Sequence, residues 1–213
     1  MRTLPICLIP GILCLLVSSC DTSKKEEVIT PVLEYSVKSS LPHDVNAFTQ
    51  GLVIHNGELF ESTGQEGSSW IGIVDVATGV ADKKVDLTSN YFGEGITILN
   101  NKIYQLTWKN QIGFVYDLKT YQKVGSFNYS GEGWGLTHDS TNLIMSDGSS
   151  RLVYLDTVTL KPIKTLEVYD ARGSVPLLNE LEFAEGFIYA NIWQTNRVAR
   201  IDPSSGKVTA YLD

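Results

Sequence analysis

From residue 44 onward the chain alternates apolar and polar positions in short runs, each closed by Gly, Asn or Asp. Alternation with period two, broken at close intervals by turn residues, predicts short β-strands joined by tight turns. Helix-period spacing is nearly absent, so the expected fold class is all-β. The runs also repeat. QGLVIHNGELF from Gln50, EGITILNNKIY from Glu94, WGLTHDSTNLI from Trp134 and NELEFAEGFIY from Asn179 align over eleven positions without a gap. Leu52, Ile96, Leu136 and Leu181 share one position, and Phe60, Tyr104, Ile144 and Tyr189 another. Each unit is followed by an apolar strand ending in Asp75, Asp117, Asp156 or Asp202, then a turn and a further strand. The unit starts are 44, 40 and 45 residues apart, the period of a four-stranded β-propeller blade.

After Asp202 one strand remains, KVTAYLD, which completes a fourth blade. Ahead of the first unit, VLEYSVKSSLPHD (Val32 to Asp44) matches the outermost strand and crossover of a blade. A propeller often uses such a strand to complete its last blade, but the inner strands of a fifth unit are missing. The expectation is four complete blades and an orphan strand. Either the ring closes with four, or the sequence is a C-terminal truncation of a five-bladed protein.

Innermost strands run roughly along the propeller axis, so their starts form a ring at one mouth of the central channel. That first position holds Gln50, Glu94, Trp134 and Asn179. A purely structural column repeats one residue type, as the Leu/Ile column does; a mixed polar and aromatic column predicts a site. Fourteen residues after each stand Gly64, Trp108, Gly148 and Trp193, which reads as two indole walls with room for a ligand between them. Phe48 and Phe92, two residues before their anchors, add aromatic wall. The plainer alternative makes these rings ordinary core. Glu94 is the only acid of the ring, and aromatic neighbours would desolvate it and raise its pKa toward neutrality, as a proton-transfer group requires. The alternative is an exposed turn Glu. Gly93 and Gly95 beside it would allow close approach by a substrate. Glu132, Glu180 and Glu182 fall near the same mouth as candidate secondary acids. His43, His55 and His138 occupy unrelated places in the repeat and lack metal-ligand spacing, so no metal site and no cofactor is expected.

At 213 residues with 43% hydrophobic and 19% charged residues, the chain has the composition of a globular protein. A net charge of −7 argues against nucleic-acid binding, which calls for a basic face. The first residues change the picture further. Arg2, the interrupted apolar run PICLIPGILCLLV and then Ser18-Ser19-Cys20 read as an export signal over 1–19, too short for a membrane span. The V-S-S-C ending resembles a bacterial lipobox, which makes Cys20 the lipidated first residue of the mature chain. A plain signal peptide containing Cys20 is the alternative. Cys7, Cys14 and Cys20 are the only cysteines, so 32–213 carries no disulfide. Residues 20–31 read as a polar tether, and 32–213 as the propeller, exported and held to a bacterial membrane by lipid alone.

The ordered motifs PHDVNAFTQGL, ESTGQEGSS, FGEGIT, LTWK, GEGWGLT, SDGSSRL, LNELE and NIWQTN run from Pro42 to Asn196. Together they resemble the glutaminyl-peptide cyclotransferases of the plant and bacterial type, which are five-bladed propellers. The resemblance implies an acyltransferase that converts an N-terminal glutaminyl residue of a peptide to pyroglutamate with release of ammonia; a closed propeller has no need of a partner, so a monomer is expected. The resemblance makes Glu94 of FGEG the proton-transfer acid. Trp134 and Trp193 become pocket walls, Asn179 a polar substrate contact, and Phe48 and Gln50 the rest of the mouth, while Trp108 of LTW also sits in the family's motif. The family's final blade carries a Gly-Lys-x-Trp motif whose lysine contributes to the pocket, and this sequence has no match to it. A non-catalytic envelope propeller that binds peptides or a protein partner is the rival reading.

Overall fold

The computed structural model describes residues 29–213. The export signal, Cys20 and most of the tether therefore lie outside the described residues. Strand β1 (Val32–Leu33) precedes the first blade, formed by β2 (Thr49–His55), β3 (Glu58–Thr63), β4 (Trp70–Asp75) and β5 (Val80–Asp86). Blade two is β6 (Gly93–Leu99), β7 (Lys102–Thr107), β8 (Ile112–Asp117) and β9 (Lys123–Asn128). Blade three is β10 (Leu136–His138), β11 (Asn142–Ser146), β12 (Arg151–Asp156) and β13 (Pro162–Glu167). A small hairpin, β14 (Tyr169–Asp170) and β15 (Gly173–Ser174), leads to blade four: β16 (Leu178–Ala184), β17 (Phe187–Ile192), β18 (Val198–Ile201) and β19 (Val208–Leu212). Each blade is antiparallel and ordered from axis to rim, and β2, β6, β10 and β16 meet one another in turn around the axis.

Local chemistry explains the blade's corners. The inner hairpins turn on Asn56-Gly57, Asn100-Asn101 and Glu185-Gly186, each pair with positive φ at both residues, the two-residue turn that matches strand twist. At the same end of each blade, nearer the rim, the repeated aspartate closes its own turn. Asp75, Asp117, Asp156 and Asp202 accept hydrogen bonds from backbone N–H groups two or three residues on.

Three hydrophobic clusters hold the blades, one at each junction between consecutive blades. Phe60, Ile71, Ile96 and Phe114 fill the first junction, Tyr104, Leu106, Leu136 and Met145 the second, and Ile144, Leu152, Leu181 and Ile201 the third. Near the axis the strands come closer than side chains permit. A Cβ on Gly51 would stand 2.7 Å from Ile96 N, one on Gly95 2.6 Å from Trp134 O, and one on Gly135 2.1 Å from Asn179 O. Gly93 is likewise crowded by Thr63 O at 2.5 Å. The glycines of FGEGIT therefore admit the backbones of neighbouring blades, not a substrate.

The strand expected to be an orphan is paired. Val32 and Leu33 lie parallel to Tyr211 and Leu212, so β1 extends the rim of blade four as a fifth strand. Pro31, assigned by sequence to the tether, already accepts a hydrogen bond from Tyr211 N at 2.9 Å. The rest of the expected outer strand forms no ladder; it crosses to blade one, where Asp44 N bonds Gly79 O and His43 Nε2 meets the buried Glu61 carboxylate at 3.0 Å.

Candidate active site

Register errors in the inner hairpins create the site. In β2, β6 and β16 the pairing slips by one residue where Gln50, Glu94 and Asn179 stand. Such a bulge leaves a residue outside the ladder and re-aims its side chain. The preceding blade then fixes the carbonyls of three anchors. Ser62 Oγ donates to Glu94 O at 2.5 Å, Gly95 N to Trp134 O at 2.7 Å, and Ser146 Oγ to Asn179 O at 2.7 Å. Below Ser62 the buried chain continues through Gln105 Nε2 and Tyr116 OH, so the floor under Glu94 is a satisfied polar network.

The two flanking columns meet the anchors because they bond to each other. Gly64 N donates to Phe48 O, Trp108 N to Phe92 O, and Trp193 N to Leu177 O, at 2.9 to 3.0 Å. As a result Phe48, Gln50, Phe92, Glu94, Trp108, Trp134, Asn179 and Trp193 line one cavity of about 320 Å³. All eight residues singled out in the sequence are brought together, from four blades. Phe48 and Trp193 are 55% and 46% exposed and form the rim, while Glu94 is only 5% exposed. The aromatic arc is in contact along two stretches. Phe48 meets Phe92 edge-on with centroids 6.3 Å apart and Phe92 meets Trp108 at 5.5 Å, while Trp134 meets Trp193 at 5.5 Å.

One expected feature is corrected. Gly64 and Gly148 leave no room for a ligand. A Cβ on Gly64 would collide with Phe92 and Gln50, and one on Gly148 with the Trp134 indole at 2.6 Å. The glycines make space for the walls themselves.

Glu94 has the most perturbed carboxyl of the cavity. Burial raises it from the ordinary 4.5 to about 9, and the nearby charge of Glu132 pushes the same way. It is therefore in its acid form at neutral pH, under an apolar roof. Among the described residues no group of His, Cys, Asp or Glu is arranged to hold a metal ion.

Of the three candidate secondary acids, none lines the cavity. Glu180 turns to blade one, where its Oε1 accepts Leu52 N at 3.1 Å, and Glu182 is exposed on β16. Glu132 sits behind the wall, its Oε2 accepting the indole N–H of Trp108 at 2.6 Å and of Trp134 at 2.9 Å. The sequence held a signal for this. Glu132 stands two residues before its anchor, in the column of Phe48 and Phe92, and so at the same mouth.

Residues 11–213 match the family described as glutamine cyclotransferase. The chain belongs to that family. It is 39% identical over 198 residues to the glutaminyl-peptide cyclotransferase of Arabidopsis thaliana, covering 92% of this chain and 60% of that protein. The chain thus spans about 60% of the length of that relative. The crystal structure of Myxococcus xanthus glutaminyl cyclase superposes with a TM-score of 0.77 at 37% identity, covering 81% of this chain and 73% of that one. The WD40 repeats of RRP9 share the fold alone, at a TM-score of 0.53 and 9% identity over 78% of this chain and 51% of that one.

Proposed function

We propose that this chain is a glutaminyl-peptide cyclotransferase, an acyltransferase that closes the N-terminal glutaminyl residue of a peptide to pyroglutamate and releases ammonia. One observation carries the reading: a single protonated carboxyl, Glu94, faces a cavity walled by aromatic rings and two amides. The names of the relatives at 39% and 37% identity point the same way.

The chemistry asks for little else. The α-amine nitrogen bonds to the γ-carboxamide carbon, and the carbon–nitrogen bond of the carboxamide breaks as ammonia leaves. The attacking nitrogen gives up one proton and the departing nitrogen takes one, so the balance is zero. Glu94, close to both, gives its proton to the leaving nitrogen and recovers one from the amine. The rings and the Gln50 and Asn179 amides hold the flexible side chain curled so that the reacting atoms meet. Incubation with a Gln-initiated dipeptide should release ammonia, and Glu94→Gln should slow that release by about 10²- to 10⁴-fold. No ammonia from the wild-type chain, or full activity in the variant, would sink the reading.

The same reading puts the enzyme outside the bacterial cytoplasm, anchored through lipid on Cys20, and acting as a monomer without nucleic acid. Its support is the V-S-S-C pattern, the polar segment after it and the net charge of −7. Cys20→Ala should move the protein from the membrane pellet to the soluble fraction; an unchanged pellet overturns the anchor.

A further inference from the structure

The aromatic arc around the cavity has one interruption. Phe48, Phe92 and Trp108 touch in series on one side, and Trp134 touches Trp193 on the other. Between Trp108 of blade two and Trp134 of blade three the link is not a ring contact but the Glu132 carboxylate. One oxygen, Oε2, accepts both indole N–H groups, at 2.6 and 2.9 Å. An indole N–H is a donor with no alternative role, and its direction fixes one axis lying in the plane of the ring. A single acceptor shared by two such donors therefore ties the polar edges of the two rings to one point.

The backbone around Glu132 is anchored for that task. Gly133 N donates to Trp108 O at 3.0 Å, and Trp134 N to Ser146 O at 3.1 Å. The two residues that follow Glu132 are thus pinned to blades two and three. Gly133 is closely packed, because a Cβ there would stand 2.5 Å from Tyr129 Oη. Glu132 itself is half-buried and stands outside the cavity lining.

We propose that Glu132 is a positioning residue: by holding the Trp108 and Trp134 indoles on one oxygen, it sets the width of the cavity in which the glutaminyl side chain is curled. This rests on the function proposed above. Bonds to a carboxylate are about twice as strong as neutral ones, which suits a strut that must survive substrate entry and exit. The negative charge also faces Glu94, alongside Tyr129 and Glu180, the other titratable groups that interact with that carboxyl. Glu132 thus influences the proton of Glu94 without touching substrate.

Two variants separate acceptor from charge. Glu132→Gln keeps an oxygen for the indoles and removes the charge; Glu132→Ala removes both. KM for a Gln-initiated dipeptide should rise about 10- to 100-fold in the alanine variant and less than about tenfold in the glutamine variant. The near-UV circular dichroism of the two tryptophans should change in Glu132→Ala and be largely restored in Glu132→Gln, with no substrate present. Both variants should move the alkaline limb of the kcat profile to lower pH, since both remove the charge facing Glu94. Unchanged KM and unchanged dichroism in Glu132→Ala overturn the proposal, as does a glutamine variant as impaired as the alanine one. The dichroism is read without turnover, so failure of the cyclase reading and failure of the strut give different results.

Discussion

At the scale of single residues, the properties of Glu94 determine how activity and stability follow pH. The productive complex holds one proton between the Glu94 carboxyl and the substrate amine. Activity should rise as pH passes the amine pKa of about 8 and fall again as it passes about 9, where Glu94 ionises. A rate profile still rising well beyond that point would contradict a neutral Glu94. The same carboxyl shapes stability. Its folded value of about 9 lies above the ordinary 4.5, so its contribution is fully present below 4.5 and is lost as pH rises toward 9. Glu94→Gln should thus cost activity about 10²- to 10⁴-fold yet gain on the wild type in urea unfolding between pH 5 and 9, by on the order of a few kcal/mol. A stability difference that stays flat with pH would argue against this. The aromatic and amide walls were legible in the sequence because a column that should repeat did not. Glu132 was harder to see, because its role depends on the directions of two indole N–H bonds, and direction has no one-dimensional signature.

At the scale of strands, the repeat was legible in its turns and apolar beats, and the structure explains why each glycine falls where it does. Gly51, Gly95 and Gly135 follow their anchors directly and lie against the next blade's inner strand. Gly135→Ala would drive a Cβ to within 2.1 Å of Asn179 O, a backbone atom that cannot swing aside. The expected cost is about 1–3 kcal/mol in chemical denaturation, with Asn179 displaced from the cavity and KM raised accordingly. An alanine accepted at no cost in both measurements would mean that the blades are less tightly apposed. The bulges that carry Gln50, Glu94 and Asn179 were not legible. A strand with one residue too many still alternates, and only pairing with its neighbour reveals the slip.

At the scale of the molecule, blades four and one are joined differently from the rest. Where the first three blades have glycine after the anchor, blade four has Glu180, which reaches to Leu52 N at 3.1 Å with its other oxygen buried and unpartnered among the described residues. A side chain here does what backbone apposition does elsewhere. Beside it Leu52 and Ile54 stay 41% and 76% exposed, whereas every residue of β6 is buried. Burial pushes the Glu180 carboxyl well above the ordinary carboxyl range. Glu180→Gln should therefore gain on the wild type progressively as pH rises above the ordinary 4.5, while Glu180→Ala should cost about 1–2 kcal/mol in thermal unfolding relative to Glu180→Gln. Equal losses in both variants would rule out this latch. The pairing of β1 with β19 was beyond the sequence, since two residues of parallel ladder carry no pattern of their own. The four anchors can also be read as an address, one letter per blade: Gln, Glu, Trp, Asn. Stacking is specified by other columns, so a letter can be rewritten to change what the cavity accepts while the blades keep their order. Gln50 is limited by Gly64, against which its side chain packs, and Trp134 is limited likewise. The Trp134 indole occupies the space that Gly148 leaves open, so those two residues must be edited together.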